Sequence, residues 1–471
     1  MDIHRNDLIE NRTFDEIAPG DSASLVRTLT RDDIDLFAIV SGDVNPSHLD
    51  PAFAETDPFH RIVGHGMWSG SLISAVLGTK LPGPGTIYLS QELRFLAPIG
   101  VGDVITTTVT VSDKPGPDHD VILRCRCTNA AGIEVVSGTA RVRAPTVKIR
   151  RPRMELPDVQ LSRHLRFHQL LARAVGGPPV PAAVAHPCDA ASLGAAIEAA
   201  SAGLLTPILV GPVAKIRAAA AAAALDIGGL RLVDAPHSHA AATQAVALVR
   251  AGEAMLLMKG SLHTDELMHA VVAPDTGLRT ARRLSHVYLM DVPSYPRPLM
   301  VTDAAVNIAP SLEDKRDIVQ NAIDLAHVMG IARPRVAILS AVETINPAIR
   351  STLDAAALCK MADRGQITGA LLDGPLAFDN AVSPEAARQK GIVSAVAGRA
   401  DILVVPDLEA GNMLAKQLSF LAGADAAGVV VGALVPIILT SRADSERTRI
   451  ASCAVAVLIA RARAVAAGAA G

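Results

Sequence analysis

The chain has 471 residues, enough for two or three domains, and half of the residues are apolar, so large cores can be buried. Its formal net charge is −3, and aromatic residues make up 3% of the chain. These values argue against a nucleic-acid surface, which would need a basic footprint and aromatic side chains that stack on bases.

Five cysteines are scattered along the chain without the spacing of a metal site, which predicts reduced thiols, no bound metal and a cytoplasmic protein. The first residues lack an apolar core, so they do not resemble a signal peptide. The longest apolar run, 426–439, contains Gly and Pro and is too short to cross a bilayer. We therefore predict buried strand and loop there, and no membrane partner.

The first predicted elements lead to a short polar stretch. Residues 22–29 alternate like a strand, and the spacing of Thr30 and Asp33 predicts a capping box at the start of a helix. Gly42 and Pro46 would end that helix, and residues 52–60 are predicted to form an irregular lid.

Asp43 and His48 lie five residues apart in this helix-free stretch, and Gly66 follows at the start of an apolar run. An aspartate and a histidine can hold and deprotonate one water. A glycine amide at a helix start can polarise a carbonyl. These are the parts needed to add water across a double bond conjugated to a thioester, although an isolated Asp-x-x-x-x-His pair would more simply be a turn and a loop histidine.

The remainder of this region predicts an α+β domain with an antiparallel sheet around a central helix. Residues 67–77 are apolar nearly all round, which is typical of a buried helix. Four strand-like segments follow, and residues 129–132 form a hairpin turn between the last two. The predicted strands are 86–97, 103–113, 119–128 and 133–144.

Three segments stand out in the first part of the chain: Phe37 to Pro51, Arg61 to Met67, and Glu92 to Ile99 with Gly102-Asp103. Together they resemble the MaoC-like hot-dog family of (R)-specific enoyl-CoA hydratases, over roughly residues 15–145. The resemblance implies (R)-specific hydration of short-chain trans-2-enoyl-CoA in a homodimer or larger homo-oligomer.

The resemblance also assigns roles to residues. Asp43 and His48 would be catalytic and grip the water, and the Gly66 N–H would stabilise the enolate oxygen. Asn45 would bind substrate or fix the loop or the water, and His65 is interpreted as structural.

Composition predicts the domain boundaries. Proline-spaced basic residues begin near 146, which is typical of a solvated tether. We predict a hot-dog domain at 1–145, a linker at 146–162 and a further region at 163–471.

Strand-like and helical segments alternate after the linker, which predicts a parallel, doubly wound sheet. Because the region exceeds 300 residues, we expect two α/β lobes with a ligand cleft at the carboxyl ends of the strands. The predicted strands are 180–185, 208–211, 254–258, 335–339, 369–372 and 402–405, and the predicted helices include 189–202, 213–225 and 444–461.

Eight segments of this second region follow one another in a fixed order: 183–189, 206–212, 259–264, 285–288, 336–340, 373–376, 406–412 and 436–445. In sequence and order they resemble the phosphate acetyltransferase and phosphate butyryltransferase family. The resemblance implies transfer of an acyl group from coenzyme A to phosphate, with CoA thioesters and phosphate as substrates and no permanently bound cofactor.

Ser441 and Arg442 match the family's Ser-Arg motif and would be catalytic, the arginine neutralising phosphate charge and the serine contacting the thiol or acyl oxygen. Gly411 and Asn412 are interpreted as a backbone turn that approaches ligand. Lys259, after a strand end, is a second phosphate candidate or equally a surface lysine.

One position departs from the acetyltransferase pattern. The acidic residue expected seven positions after the serine is Thr448, and the Ser-Arg-Ala-Asp-Ser form is more similar to butyryltransferases. The base for the thiol is therefore left unassigned.

The order of the two regions resembles bifunctional enoyl-CoA hydratase/phosphate acetyltransferases. Two alternatives stay open: a hydratase whose second region binds CoA or assembles the oligomer without transferring phosphate, and a non-enzymatic acyl-CoA-binding scaffold.

Overall fold

The computed structural model describes residues 8–157, 159, 161, 164–439 and 444–469. The chain divides into two compact units, Met1–Leu161 and Ser162–Gly471, which we call unit 1 and unit 2.

Unit 1 is an antiparallel sheet wrapped around one buried helix. Among the described residues the sheet has the strand order β2-β4-β5-β6-β3. The elements are β1 (Leu8–Glu10), a 3₁₀ turn (Phe14–Glu16), β2 (Ser22–Thr28), α1 (Arg31–Ser41), α2 (Pro46–Leu49), α3 (Pro51–Thr56), α4 (Gly66–Thr79), β3 (Ile87–Phe95), β4 (Val104–Asp113), β5 (Asp120–Thr128), β6 (Glu134–Arg143) and β7 (Arg150–Pro152).

Helix α4 forms the core of unit 1, as its apolar pattern predicts. Its side chains Ile73, Val76 and Leu77 are at most 1% exposed and pack with the inward residues of β4 to β6. The predicted hot-dog architecture is confirmed.

Local signals explain how the chain reaches the polar stretch. The Thr30–Asp33 capping box is present, and α1 ends at Gly42, whose φ of 74° lies in the left-handed region that favours glycine. The predicted irregular lid at 52–60 is wrong in its first half. Residues 51–56 form α3, because the Asp50 side chain accepts hydrogen bonds from the N–H groups of Ala52 and Phe53.

The first part of the predicted linker has regular structure within unit 1. Strand β7 pairs antiparallel with β1. The Asn11 side chain bonds to the backbone of Val147 and Ile149, and Lys148 forms ion pairs with two glutamates of the opening segment. Proline spacing and positive charge are typical of a free tether, and the local pattern cannot show that a distant strand offers a backbone partner.

Unit 2 alternates strands and helices. Its elements are α5 (Leu165–Val175), β8 (Val180–Ala185), α6 (Ala190–Ser201), β9 (Leu205–Gly211), α7 (Val213–Ala222), β10 (Arg231–Asp234), α8 (Ser238–Arg250), β11 (Leu256–Lys259), α9 (Thr264–Val272), β12 (Ser285–Asp291), β13 (Leu299–Thr302), α10 (Leu312–Val328), β14 (Arg335–Leu339), α11 (Arg350–Asp363), β15 (Leu371–Leu376), α12 (Phe378–Val382), α13 (Pro384–Gln389), β16 (Ile402–Val404), α14 (Leu408–Phe420), β17 (Asp425–Val431), β18 (Ile437–Ile438) and α15 (Glu446–Ala469).

One continuous sheet joins the two halves of unit 2. Its order in the described part of the chain is β10-β9-β8-β11-β18-β17-β12-β13-β16-β14-β15. The α/β class is confirmed, but the sheet is mixed, because β12 and β17 pair antiparallel with their neighbours. The connections 292–298 and 432–436 are too short for the crossover that parallel strands need.

Helix α15 is the one helix among the described residues that is long and apolar enough to cross a membrane. Its apolar stretch is 56% buried, and it packs against β17, α5 and α6. A core helix explains this composition without a bilayer.

A buried ion pair joins α10 to α11, and breaking it should destabilise unit 2. Lys315 Nζ lies 2.8 Å from the Asp354 carboxylate, and both residues are nearly excluded from solvent. We expect Lys315→Met to lower the free energy of unfolding by about 3–5 kcal/mol, because it leaves a buried carboxylate without its main partner. Urea unfolding followed by circular dichroism measures the change.

Two variants control this prediction. Lys360→Met removes the exposed pair with Asp363 and should change stability little. Adding Asp354→Leu to Lys315→Met should recover most of the loss, and a single variant as stable as wild type would contradict the argument.

Candidate active sites

The predicted polar stretch of unit 1 forms a compact cluster. Ligating atoms of Asp43, His48 and His65 all lie within 4.8 Å of one another. The imidazole rings of His48 and His65 have centroids 3.9 Å apart. Asp43 is exposed, His48 is half-buried and His65 is buried, so the cluster opens to solvent at its carboxylate.

Two hydrogen bonds tie the loop of Asp43 and His48 to the segment before α4. His48 Nδ1 bonds to the Val63 carbonyl at 2.8 Å, and the Val63 N–H donates to the Ser47 carbonyl at 3.3 Å. Because a carbonyl only accepts, His48 Nδ1 must carry the hydrogen. In the neutral ring this leaves Nε2 with a lone pair that can accept a proton.

Asn45 holds this loop in shape. Its side-chain oxygen accepts from the Ser47 N–H at 3.2 Å and caps the short helix that carries His48. Its own N–H donates to Asp43 Oδ1 at 3.2 Å, which orients the carboxylate. These contacts favour the loop-fixing role among the alternatives considered for Asn45.

Gly66 is the first residue of α4, so its N–H has no acceptor within the helix and lies at the positive end of the helix dipole. A Cβ at this position would lie 3.0 Å from the Phe95 ring, so a larger residue here would press against that ring. The amide can therefore donate to a ligand oxygen.

The site residues predicted in unit 2 are distributed over several elements. Ser441 and Arg442 lie outside the described residues. Lys259 is the last residue of β11. The residue before it, Met258, pairs with Ile438 of β18, the strand that precedes the Ser-Arg motif in the sequence. Its Nζ contacts the carbonyls of its own loop, at 3.2 Å and 3.3 Å.

The interpretation of Gly411 and Asn412 as a turn is wrong. Both residues lie within α14, where the Asp407 side chain caps the first turn. A Cβ on Gly411 would lie 2.5 Å from the Asp303 carbonyl oxygen, and Asn412 Nδ2 donates to the Ala304 carbonyl at 3.2 Å. The close approach is therefore to the backbone that leaves β13.

The structure adds two aromatic side chains of β12 that sequence reasoning did not assign. His286 and Tyr288 have ring centroids 4.4 Å apart, and both face Gly428 on β17. Burial lowers the pKa of His286 to about 4, opposed by the negative charge of Asp303. Burial and the charge of Asp444 raise the pKa of Tyr288.

Two carboxylates act on this pair of rings. Asp303, whose backbone lies beside Gly411, opposes the fall in the pKa of His286, and Asp444, two residues beyond Arg442 in the sequence, contributes to the raised pKa of Tyr288. The available signal was a His and a Tyr two residues apart in a strand whose middle is otherwise apolar.

Thr448, at the position of the expected acid, lies in the first turn of α15. Its hydroxyl hydrogen-bonds to that of Ser445 at 3.0 Å. A hydroxyl in this pairing does not supply the missing base.

Family models match both units. The model described as MaoC like domain matches residues 18–123, and the model described as phosphate acetyl/butaryl transferase matches residues 237–457. The fold and the two clusters thus define a two-unit enzyme of acyl thioester chemistry.

Individual proteins give the same assignment for unit 2. The phosphate acetyltransferase of Rhizobium meliloti is 67% identical over 298 residues, which are 63% of this chain and 94% of that protein. The chain belongs to the phosphate acetyl/butyryltransferase family, with a MaoC-like domain in unit 1.

Two solved structures are also similar. A branched-chain phosphotransacylase from Enterococcus faecalis V583 is 30% identical with a TM-score of 0.53, over 60% of this chain and 99% of that chain. R-Hydratase PhaJ1 from Pseudomonas aeruginosa is 42% identical with a TM-score of 0.32, over 33% of this chain and 99% of that chain.

Proposed function

We propose that unit 1 hydrates short-chain trans-2-enoyl-CoA to the (R)-3-hydroxyacyl-CoA. The observations that carry this proposal are the close approach of the Asp43 carboxylate and His48, whose Nε2 keeps a lone pair, and the Gly66 N–H at the start of α4, next in sequence to His65 of the same cluster. The MaoC-like match supports hydration, and the resemblance of three segments of unit 1 to (R)-specific enoyl-CoA hydratases supports the R configuration.

The cluster suits each step of hydration. Asp43 and His48 Nε2 accept the two hydrogens of one water, and Nε2 takes a proton as the oxygen attacks the β-carbon. The Gly66 N–H stabilises the negative charge that develops on the thioester oxygen. His48 then delivers the proton held on Nε2 to the α-carbon, so that H and OH add across the double bond and the imidazole is neutral again.

Unit 2 transfers an acyl group between CoA and phosphate, giving acyl phosphate and free CoA. Arg442 balances phosphate charge and Ser441 contacts the thiol or acyl oxygen, while Lys259 is a further cation at the end of β11, which pairs with β18. The high identity to a protein named phosphate acetyltransferase supports transfer over mere CoA binding, and supports acetyl among the acyl groups.

Paired assays on the full chain test both activities. One follows loss of the enoyl absorbance of crotonyl-CoA, and the other follows thiol release from acetyl-CoA and butyryl-CoA with and without phosphate. Hydration without phosphate-dependent release would establish the alternative of a unit 2 that only binds or assembles. Loss of both would leave the scaffold alternative.

We also propose a cytoplasmic homo-oligomer that neither inserts in a membrane nor binds nucleic acid. The cysteines are free thiols, which fits a reducing compartment. Strand β3 is an edge of the unit 1 sheet among the described residues, and its apolar Ile87 and Phe95 are more than half exposed. A second copy paired along this edge would cover them and close the acyl pocket beside Gly66.

A charge on this edge should therefore disrupt the oligomer. We expect Ile87→Lys to lower the molar mass in sedimentation and to lower hydration with it, because an edge lysine opposes strand pairing. Ile133→Lys makes the same change at an exposed hairpin and should leave both unchanged. An unaltered mass for Ile87→Lys would contradict the proposed edge.

A further inference from the structure

The side chains of Asp43, His48 and His65 together offer more hydrogen-bond acceptors than the two hydrogens of one water can fill. His65 Nε2 bonds to the Asp43 carbonyl at 3.0 Å, so this nitrogen carries the hydrogen and Nδ1 keeps the lone pair. His65 is 2% exposed, and its Nδ1 is buried without a hydrogen-bond partner in the described part of the chain. A water has two hydrogens, whereas these three side chains carry two imidazole lone pairs and a carboxylate.

Both histidines have the outer contacts that metal-binding histidines have. Each donates its other ring N–H to a backbone carbonyl, His48 to Val63 and His65 to Asp43. Such contacts fix the ring and its tautomer so that the opposite nitrogen is available to a metal. Ligands to such metals come from histidine, cysteine, aspartate and glutamate side chains. Among the described residues, Asp43, His48 and His65 are the group of three whose ligating atoms all lie within 4.8 Å of one another.

We propose that Asp43, His48 and His65 bind a divalent transition metal, Zn²⁺ being the best match, with a water completing the coordination. Two imidazoles and one carboxylate form a set of ligands that zinc prefers, and the water takes the fourth coordination position. The exposed Asp43 provides the route of entry.

Zinc at this position inhibits hydration. The metal occupies the His48 Nε2 lone pair, which is the one that takes the proton of the attacking water, so bound zinc and general-base catalysis exclude one another. This consequence rests on the proposed function of unit 1, while the metal binding itself does not.

The test titrates Zn²⁺ into full-length protein previously treated with EDTA, by isothermal calorimetry. We expect one tight site, lost by more than about 100-fold in affinity in His65→Gln, since removing a ligand costs more than removing its outer contact. The glutamine amide can still donate to the Asp43 carbonyl, so the loop is retained. Co²⁺ in place of Zn²⁺ should give the visible d–d bands of a four-coordinate site in wild type.

The matched control is His60→Asn, in the same unit. His60 is exposed with φ of 52°, a conformation that asparagine tolerates, and it should keep both the affinity and the Co²⁺ spectrum. Equal zinc affinity in wild type and His65→Gln, or the lack of a tight site, would overturn the metal proposal.

Activity then separates the two proposals. Crotonyl-CoA hydration by the EDTA-treated protein tests the proposed function alone. Stoichiometric zinc should abolish this activity and EDTA should restore it, with phosphate-dependent thiol release unaffected. Zinc that binds without inhibiting would overturn the inhibitory role.

Discussion

Asp43→Asn is expected to lower kcat/KM for hydration of crotonyl-CoA by about 10²–10⁴-fold, the usual contribution of a positioned acid–base group. The amide keeps an oxygen that can accept from the Asn45 N–H, so the loop stays in place while the negative charge is lost. Binding of crotonyl-CoA should change little. Steady-state hydration and equilibrium binding on the same preparation measure the two effects.

The control for this prediction lies seven residues away. Asp50→Asn changes another loop carboxylate to its amide, and asparagine is an equally good helix cap for α3. It should hydrate like wild type, and both variants should retain phosphate-dependent thiol release. Full hydration by Asp43→Asn would remove this residue from the mechanism.

Gly411→Ala should strongly lower the transferase activity of unit 2. The added Cβ would lie 2.5 Å from the Asp303 carbonyl oxygen and 2.8 Å from Val405 Cγ2, so α14 or the backbone after β13 must shift. Because a displacement near 1 Å at a site can cost about 10²-fold, we expect a loss of that order in phosphate-dependent thiol release. Hydration by unit 1 serves as the internal reference and should be unchanged.

A second glycine shows whether the added methyl group itself is harmful. Gly194→Ala makes the same change inside α6 of unit 2, where the nearest atom to the new Cβ is Glu198 Oε1 at 3.8 Å. This variant should keep its transferase activity. If Gly411→Ala is equally active, the contact between α14 and the Asp303 backbone has no catalytic consequence.

Local sequence signals were sufficient where the structure of an element depends on its own residues. The Thr30–Asp33 capping box predicted the start of α1 correctly, and the all-round apolar character of α4 predicted the buried helix of unit 1. Pairing between distant segments could not be predicted from the sequence. Strand β7 pairs with the distant β1, and β12 and β17 are antiparallel in a sheet that was predicted to be parallel. Such choices depend on chain topology and connection length.

The candidate sites show the same division. Sequence spacing proposed Asp43, His48 and Gly66, which the structure places in the loop before α2, on α2 itself and at the start of α4. The spacing did not show that His65 keeps an unpartnered lone pair on Nδ1, because the tautomer depends on a backbone carbonyl 22 residues away. It also placed Gly411 in a turn, because glycine in a helix is indistinguishable locally from glycine in a loop.

The sheet order of unit 2 bears on how the protein folds while it is being synthesised. Strand β11 is flanked by β8, which is synthesised before it, and by β18, which is synthesised long after it, and α15 packs in the same core. The ribosome must therefore release the chain as far as β18 before β11 is covered on both sides. Unit 1 has all its strands long before that point, so it can fold first, while the open edge of β11 is exposed to aggregation for the time taken to synthesise some 180 residues between Lys259 and Ile438.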